Sequence, residues 1–186
     1  MTDFRIALPQ IGQSIFLTDG GIEKTLIVKV GFDLPHFASC VLLDDEAGIA
    51  AQRGYYCRSR EIASDAGSGF ILETPTWRAS ADWGARLGYD ALALDRVNRN
   101  AVEFLEGLRA RYASRTGPIV ISGNIGPRGD GYRADAQMTA AEAECYHAAQ
   151  IGTFADTPAD MVCAITMTYA EEAIGIVNAA MRHGIP

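Results

Sequence analysis

The sequence lacks the features that mark several classes of protein. No apolar run approaches the ~18 residues that a membrane-spanning helix needs, and residues 1–13 lack the basic-then-apolar layout of an export signal. Lysine and arginine total 16 against 23 acidic residues, and they form no cluster of the kind that nucleic-acid binders show. These absences predict a cytoplasmic protein that has neither a membrane nor a nucleic acid as its partner.

Paired cysteines of the metal-binding kind are also missing. The four cysteines are Cys40, Cys57, Cys145 and Cys163. None of them form a C-x-x-C pair, and without an export signal they are predicted to be reduced thiols. Cysteines at such spacings are more often small buried hydrophobic residues than ligands. The sequence therefore predicts that this chain binds no metal.

What the chain does contain is one arrangement, repeated four times: a short apolar run that ends in polar residues. Such a run predicts a buried strand. The predicted strands are Ile15–Thr18, Gly69–Glu73, Ile119–Ser122 and Asp160–Ile165. Segments of helical composition alternate with them, which predicts βαβ units and a parallel sheet. The 186 residues, of which 48% are hydrophobic, suit a single domain over residues 1–186.

Four helices are predicted to alternate with the strands. The first two span Glu46–Ala66 and Asp95–Ala113. The third and fourth are predicted to begin at capping boxes, Thr139–Glu142 and Thr168–Glu171, and Gly184 is predicted to end the fourth. The fourth helix is expected to bury an apolar stripe, which consists of Ala173, Ile174, Val177, Ala180 and Met181.

This alternation fits either an open doubly wound sheet or half of a (β/α)8 barrel, which needs about 250 residues when complete. A dinucleotide-binding sheet should carry G-x-G-x-x-G after its first strand, whereas this chain has Asp19-Gly20-Gly21-Ile22-Glu23. The polar ends of all four strands suit a barrel mouth better, and Ile185-Pro186 resembles the approach to a fifth strand. The predicted fold is therefore α/β, the N-terminal half of a (β/α)8 TIM barrel, with four parallel strands alternating with four helices.

Asp19 is the first candidate site residue. It directly follows the first strand, and in parallel α/β folds ligands bind at the carboxyl ends of strands. Gly20 and Gly21 follow it, and glycine lets a backbone approach a ligand closely. The alternative is an aspartate that only caps the next turn. We expect Asp19 to point into the mouth of the sheet, near Thr76 and Asn124.

Two other segments are candidates for the rim of this mouth. The glycine-rich loop 123–137 lacks the Gly-Lys-Ser/Thr ending of a phosphate-binding loop, so we interpret it as a lid. Trp77 and Trp83 follow the second strand and are candidate walls of a pocket for a methylated cation. Simple packing of aromatic side chains between loops is the alternative.

Three motifs, in this order, resemble the homocysteine S-methyltransferase family. They are Leu17–Gly21 with Glu23, Phe70–Ser80 and Ile121–Pro127. The resemblance runs over essentially the whole chain. It implies a barrel enzyme that transfers a methyl group to the thiolate of homocysteine, held on a zinc ion, to give methionine. The donor in that family is S-methylmethionine, betaine or a folate/cobalamin system, depending on the branch.

The resemblance also implies roles for individual residues. Asp19 would bind the amino group of homocysteine, and Gly20 and Gly21 would let the backbone come close to the substrate. Thr76 and Asn124 would line the pocket, although the Thr76 hydroxyl is equally suited to satisfying a local carbonyl. No catalytic residue is assigned in this chain.

Two departures from the family pattern matter. The zinc-binding cysteines of the family lie in later motifs that this chain lacks, so the resemblance implies no zinc ligands here and no activity for the chain alone. Where the family commonly has a glutamate at the end of strand four, this chain has Ile165. The alternative function is a non-catalytic half-barrel that acts as a binding or assembly module.

The predicted partners are a small-molecule thiol and a methyl donor, together with a second copy of the chain or a complementing half-barrel. A half-barrel leaves open strand edges. It also leaves an inward sheet face uncovered, on which we expect Leu17, Ile71 and Ile121 or their neighbours. Exposed apolar surface of this kind favours self-association.

Overall fold

Four parallel strands form a single sheet in the order β1-β2-β3-β4. The computed structural model describes residues 4–112, 117–135 and 137–186. The strands are β1 Phe16–Thr18, β2 Gly69–Glu73, β3 Ile119–Ile125 and β4 Met161–Ala164. Neighbouring strands are parallel throughout, which confirms the predicted sheet.

Helices alternate with these strands. Their bounds are α1 Ile22–Thr25, α2 Glu46–Asp65, α3 Ala81–Arg86, α4 Ala91–Tyr112, α5 Ala140–Ala155 and α6 Ala170–His183. A π-helical turn, Leu26–Val30, continues α1. Three 3-10 turns occur before α2, and they are Pro9–Ile11, Pro35–Phe37 and Ser39–Asp44. The four long helices α2, α4, α5 and α6 correspond to the four that were predicted.

The start of α4 differs from the prediction. It begins at Ala91 rather than Asp95, because the Asp90 carboxylate accepts a hydrogen bond from the Ala93 N–H at 2.8 Å. A side chain in this position satisfies a donor that the first helical turn leaves free. The predicted end at Ala113 lies outside the described residues.

Of the two predicted capping boxes, one is confirmed and one is wrong. At Thr139 both reciprocal bonds with Glu142 are present. At the start of α6 the residue before the helix is Tyr169, which makes no side-chain cap. The Thr168 hydroxyl instead donates to the Arg133 carbonyl at 3.4 Å, so a tertiary contact replaces the local cap.

The main hydrophobic core lies between one face of the sheet and the long helices. Alternate strand residues point to the same face, and the core includes Phe70 and Leu72 of β2. Leu17 pairs with Phe70 and Ile121 with Leu72, so these two residues also face the helices. Of the residues expected on the inward face, Ile71 alternates to it. At Leu17 and Ile121 the strand neighbours do so instead, since Thr18 and Val120 pair with Ile71.

The buried face of α6 also differs from the prediction. The buried residues are Glu172, Gly175, Ile176, Ala179 and Ala180. Ile174, Val177 and Met181 are 50%, 56% and 75% exposed. The helix packs closely on α5, since a Cβ atom added at Gly175 would lie 2.5 Å from that of Ala143. Close packing through small residues determines which face of α6 is buried. The spacing of the large apolar residues does not predict that face.

The last residues of the chain lie beside β4. Gly184 ends α6 with φ +66°, a left-handed conformation that glycine adopts readily. The Val162 N–H then donates to the Pro186 carbonyl at 2.8 Å. Ile185-Pro186 therefore approaches the sheet at the free edge of β4, in the place expected for the next strand.

Candidate functional site

A cavity of about 910 Å³ lies at the carboxyl ends of the four strands. Its volume falls within the range of small-molecule sites. Residues near the end of each strand or after it contribute to its wall; among them are Asp19, Gly20, Gly21, Glu23, Glu73, Trp77, Arg78, Asn124, Asp130, Tyr132, Cys163, Ile165 and Thr166. The structure thus brings four of the five predicted site residues to one cavity, and only Thr76 does not line it.

Asp19 is oriented by a tyrosine. The Tyr55 hydroxyl of α2 donates to Asp19 Oδ2 at 2.9 Å. Burial raises the pKa of Asp19 to about 6, and the bond from Tyr55 opposes that shift. Gly21, not Asp19, precedes α1, and it makes no side-chain cap. The capping alternative for Asp19 does not describe this arrangement.

Glu73 is a second carboxylate of the cavity. It was not among the site residues predicted from the sequence. It is the last residue of β2, and burial raises its pKa to about 8, with the charge of Asp19 adding to the shift. Its Oε2 atom is buried without a hydrogen-bond partner among the described residues. The signal that selected Asp19, a carboxylate at the end of a predicted strand, applied equally to Glu73.

Glu23 is a third carboxylate of the cavity, and it lies in the first turn of α1, two residues after Gly21. Its Oε1 atom accepts a hydrogen bond from the Ser39 hydroxyl at 2.7 Å. Burial raises its pKa, whereas the hydrogen bond from Ser39 and the charge of Arg78 lower it. The cavity therefore combines three carboxylates whose ionised forms are all disfavoured by loss of water.

Asn124 lines the cavity from β3, and two threonines fix its backbone. Its side chain is 8% exposed, and Oδ1 has no hydrogen-bond partner in the described part of the chain. Thr74 Oγ1 accepts from the Asn124 N–H at 2.8 Å, and Thr76 Oγ1 donates to the Asn124 carbonyl at 2.8 Å. Thr76 is completely buried, so it positions Asn124 rather than facing the cavity.

The segment after β2 places a buried arginine, Arg78, in the wall of the cavity. Arg78 lies between the indoles of Trp77 and Trp83, with its Cζ atom 3.7 Å from each ring centroid. The two tryptophans were predicted to hold a methylated cation or to pack as loop aromatics. Instead, a guanidinium occupies the space between their rings.

The glycine-rich loop packs against Trp77 and adds Asp130 and Tyr132 to the cavity wall. A Cβ atom at Gly126 would collide with the Trp77 carbonyl, and one at Gly131 would lie 3.0 Å from the Trp77 ring. Only residues without a side chain allow this close approach. The segment is therefore packed against Trp77 at the edge of the cavity, and its role as a lid stays a prediction.

A buried hydrogen-bonded contact supports the base of this loop. The Arg128 N–H donates to Glu172 Oε1 at 2.8 Å, and His147 Nε2 lies 3.0 Å from the same oxygen. His147 and Glu172 are 0% and 1% exposed. This contact between α5, α6 and the loop could not be found from the spacing of the histidines, because the partners are 25 residues apart.

The described residues do not fit a zinc site. Within residues 4–112, 117–135 and 137–186, no group of three His, Cys, Asp or Glu side chains could hold a metal ion. Cys163 lines the cavity, whereas Cys40 is buried elsewhere and Cys145 is exposed. The absence of bound zinc stays a prediction.

The family model for homocysteine S-methyltransferase matches residues 17–186. The chain belongs to the homocysteine S-methyltransferase family. This confirms the resemblance carried by the three motifs. A search of curated proteins gave no match.

Two solved structures of the homocysteine methyltransferase MmuM from Escherichia coli are similar to this family member. The oxidized form has a TM-score of 0.74 and the metallated form 0.71, each at 18% sequence identity and over 98% of this chain. The chain spans 62% and 63% of the length of those two proteins. At this identity the likeness shows the fold alone, and it confirms the predicted half-barrel architecture.

No helix in the described residues is long and apolar enough to cross a membrane.

Proposed function

We propose that this chain provides the amino-acid-binding part of a homocysteine S-methyltransferase, which transfers a methyl group to the thiol of homocysteine to give methionine. The observation that carries the proposal is the presence of two half-buried carboxylates, Asp19 and Glu73, in one cavity at the strand ends of a family member. Ile165 lines the cavity where the family commonly has a glutamate. Glu73 supplies a second carboxylate from a different strand.

In the reaction, the thiol loses its proton and its sulfur forms a bond to the methyl carbon, while the bond between that carbon and the donor breaks. The residues of this chain bind and orient the acceptor. Asp19 and Glu73 hold the ammonium group, because opposite charges in a water-poor site attract strongly. Gly20 and Gly21 bring the backbone close to the acceptor. Asn124 offers its unpaired Oδ1 as a further acceptor of a hydrogen bond.

The family supports an enzyme over the alternative of a non-catalytic half-barrel module. Activity is proposed for an assembly in which another polypeptide segment completes the barrel, and not for these residues alone. We propose the cytoplasm as the compartment, because all four cysteines are free and reduced thiols suit that location.

The experiment that tests the proposed function is calorimetric titration of the 186-residue chain with L-methionine, the reaction product. We expect saturable binding at one site per chain, and competition by L-homocysteine. A chain that binds neither amino acid would contradict the proposal. Binding of the deaminated analogue 4-(methylthio)butanoate with equal affinity would contradict the role of the carboxylates.

Binding of the amino acid is expected to release a proton from Glu73. With a pKa of about 8, Glu73 is mostly protonated at about pH 7 in the free cavity. An ammonium group favours the ionised carboxylate, so binding lowers this pKa and expels the proton. Affinity should consequently rise with pH up to about 8. Titrations in two buffers with different ionisation enthalpies measure the released proton.

Glu73→Gln is the matched variant for this titration, since it keeps the shape of the side chain and cannot ionise. It should bind L-methionine without proton release. Asp19, with a pKa of about 6, is already mostly ionised at about pH 7, so it contributes little to the proton release. If the wild-type chain shows the same binding enthalpy in both buffers, no proton is released. Glu73 then does not bind the ammonium group.

Self-association through α6 is the proposed assembly. The exposed face of this helix carries Ile174, Val177 and Met181, of which the last is 75% exposed. Burial of apolar surface stabilises contact by about 25 cal/mol per Å², so we expect the chain to form dimers or larger species at micromolar concentration. Light scattering coupled to gel filtration measures this. Val177→Lys should shift the distribution towards the monomer.

The control for Val177→Lys is Ile62→Lys on α2, because Ile62 is 60% exposed on a different helix. It should leave the distribution unchanged. A wild-type chain that is monomeric at all concentrations and melts cooperatively would contradict the proposed assembly.

A further inference from the structure

One buried carboxylate outside the cavity is hydrogen-bonded to the glycine-rich loop that forms part of the cavity wall. The Arg128 N–H donates to Glu172 Oε1 at 2.8 Å, and Glu172 lies in the first turn of α6. Asp130 and Tyr132 follow Arg128 closely in the loop, and both line the cavity. Glu172 does not line it. Any influence of Glu172 on a ligand must therefore act through the position of the loop.

His147 of α5 holds Glu172 in place. Its Nε2 atom lies 3.0 Å from Glu172 Oε1, and because an ionised carboxylate only accepts hydrogen bonds, Nε2 carries the proton and donates. Burial opposes the ionisation of Glu172, but the hydrogen bonds from His147 and Arg128 keep its pKa below the ordinary value. Glu172 is therefore an ionised carboxylate near neutral pH, and one of its oxygens receives donors from two separate segments.

The packing of α6 on α5 does not require this charge. The helices meet through small residues, since a Cβ atom added at Gly175 would lie 2.5 Å from that of Ala143. Glu172 is 1% exposed, and replacement of buried charged groups by well-packed apolar side chains is often neutral or stabilising. An apolar side chain could not, however, accept the Arg128 N–H. The contribution that only a polar side chain can make at this position is the attachment of the loop.

A second attachment of Arg128 is exposed to solvent. Its Nε donates to Asp82 Oδ2 at 2.8 Å, and the two side chains are 43% and 44% exposed. Exposed ion pairs of this kind contribute little to stability. The hydrogen bond to the buried Glu172 carboxylate is shielded from water, so Glu172 rather than Asp82 is expected to fix this part of the loop.

We propose that Glu172 is a positioning residue of the cavity, which fixes loop residues 126–132 so that Asp130 and Tyr132 form the wall that a bound amino acid requires. His147 acts through Glu172, because it holds the carboxylate towards Arg128. The identity of the ligand, L-methionine in the test below, rests on the proposed function. A preorganised wall lowers the cost of binding, so loss of Glu172 should weaken binding without removal of any ligand contact.

The two tryptophans report the position of the loop. They are the only tryptophans of the sequence. Trp77 packs against Gly126 and Gly131, and Trp83 Nε1 donates to the Pro127 carbonyl at 3.1 Å. Displacement of the loop should uncover both indoles, so quenching of their fluorescence by acrylamide should increase. A substitution that only destabilises the folded protein would not change this quenching well below the melting temperature.

Two variants of the 186-residue chain test the role of Glu172. Glu172→Met keeps the length of the side chain and removes both acceptor oxygens. In calorimetric titration it should bind L-methionine about tenfold more weakly, and its tryptophans should be quenched more strongly by acrylamide than those of the wild-type chain. Glu172→Gln keeps an oxygen that can accept the Arg128 N–H. It should restore most of the affinity and most of the protection from quenching.

Asp160→Leu is the matched control for the loss of a buried carboxylate. Asp160 Oδ2 accepts from the Ile121 N–H at 2.7 Å and from Arg109 Nη1 at 2.6 Å, just before β4, and Asp160 does not line the cavity. This variant should melt at a lower temperature, as Glu172→Met should, but change the affinity by less than about twofold, because distant sites act independently. Asp82→Asn, which removes only the exposed attachment of Arg128, should also stay within about twofold.

Unchanged affinity for L-methionine in a folded Glu172→Met chain overturns the inference, whatever the quenching shows, and so does an equal loss of affinity in Asp160→Leu. If Glu172→Met does not fold, hydrogen exchange of the wild-type chain decides. Slow exchange of the Arg128 amide supports its attachment to Glu172, and exchange as fast as that of an exposed loop amide overturns it.

A wild-type chain that does not bind L-methionine contradicts the proposed function and leaves the role of Glu172 to be decided by fluorescence. Stronger quenching in Glu172→Met than in Asp160→Leu would then still support Glu172 as the residue that positions the loop. Equal quenching in these two variants would overturn that role.

Discussion

Asp19→Asn is expected to weaken binding of L-methionine by a factor on the order of 30. The substitution keeps the shape of the side chain but removes the charge that is proposed to face the ammonium group. A hydrogen bond to a charged group contributes about 1.5–3 kcal/mol, and about 1.4 kcal/mol corresponds to a tenfold change in affinity. Calorimetric titration measures the loss. In an assay of methyl transfer by an assembled enzyme, Asp19→Ala should raise KM for the thiol by a similar factor.

Tyr55→Phe is the control for this effect. It removes the hydroxyl that donates to Asp19 Oδ2 and leaves the carboxylate in the cavity. We expect a loss of affinity several times smaller than that of Asp19→Asn. Unchanged affinity in a folded Asp19→Asn chain would refute the assignment of Asp19 to the ammonium group.

Phe154→Ala is expected to cause the largest loss of stability. Phe154 is 0% exposed on α5, and its ring packs against β3 where Gly123 leaves room: a Cβ atom there would lie 2.6 Å from the ring. Truncation of a buried phenylalanine costs about 3–5 kcal/mol, from a total stability of about 5–15 kcal/mol. For a domain of this size the melting temperature should fall by roughly 10 °C or more. Thermal unfolding followed by circular dichroism measures the change.

Leu92→Ala on α4 is the matched control, since Leu92 is 72% exposed. Removal of an exposed side chain usually changes the free energy of unfolding by less than about 0.5 kcal/mol. If Phe154→Ala melts within one or two degrees of Leu92→Ala, the packing of α5 on the sheet is not as described.

The apolar runs and the helical segments between them were sufficient to predict the sheet, its order and its long helices. These features are local: an apolar run of strand length and a helical segment each carry their own signal in sequence. The same holds for Asp19, Gly20 and Gly21, because a strand end in a parallel sheet is a position that can be counted along the chain. The confirmed Thr139–Glu142 capping box is local in the same sense.

Other features depend on contacts between distant residues, and sequence reasoning failed there. The buried face of α6 follows from close packing of Gly175 on Ala143, so the apolar residues Ile174 and Val177 face outward. Thr76 turned out to hold the Asn124 backbone, 48 residues away. Neither result could be obtained from spacing, because each depends on which side chain the neighbouring element presents.

The sequence by itself determined an α/β half-barrel of the homocysteine S-methyltransferase family with a carboxylate at the end of its first strand. Only the tertiary structure decided which other charges share that cavity. Glu73 comes from the next strand, and Arg78 becomes a buried cation because two indoles exclude water from it. Burial and the proximity of charges set the pKa values of these groups, and both arise only when segments distant in sequence pack together.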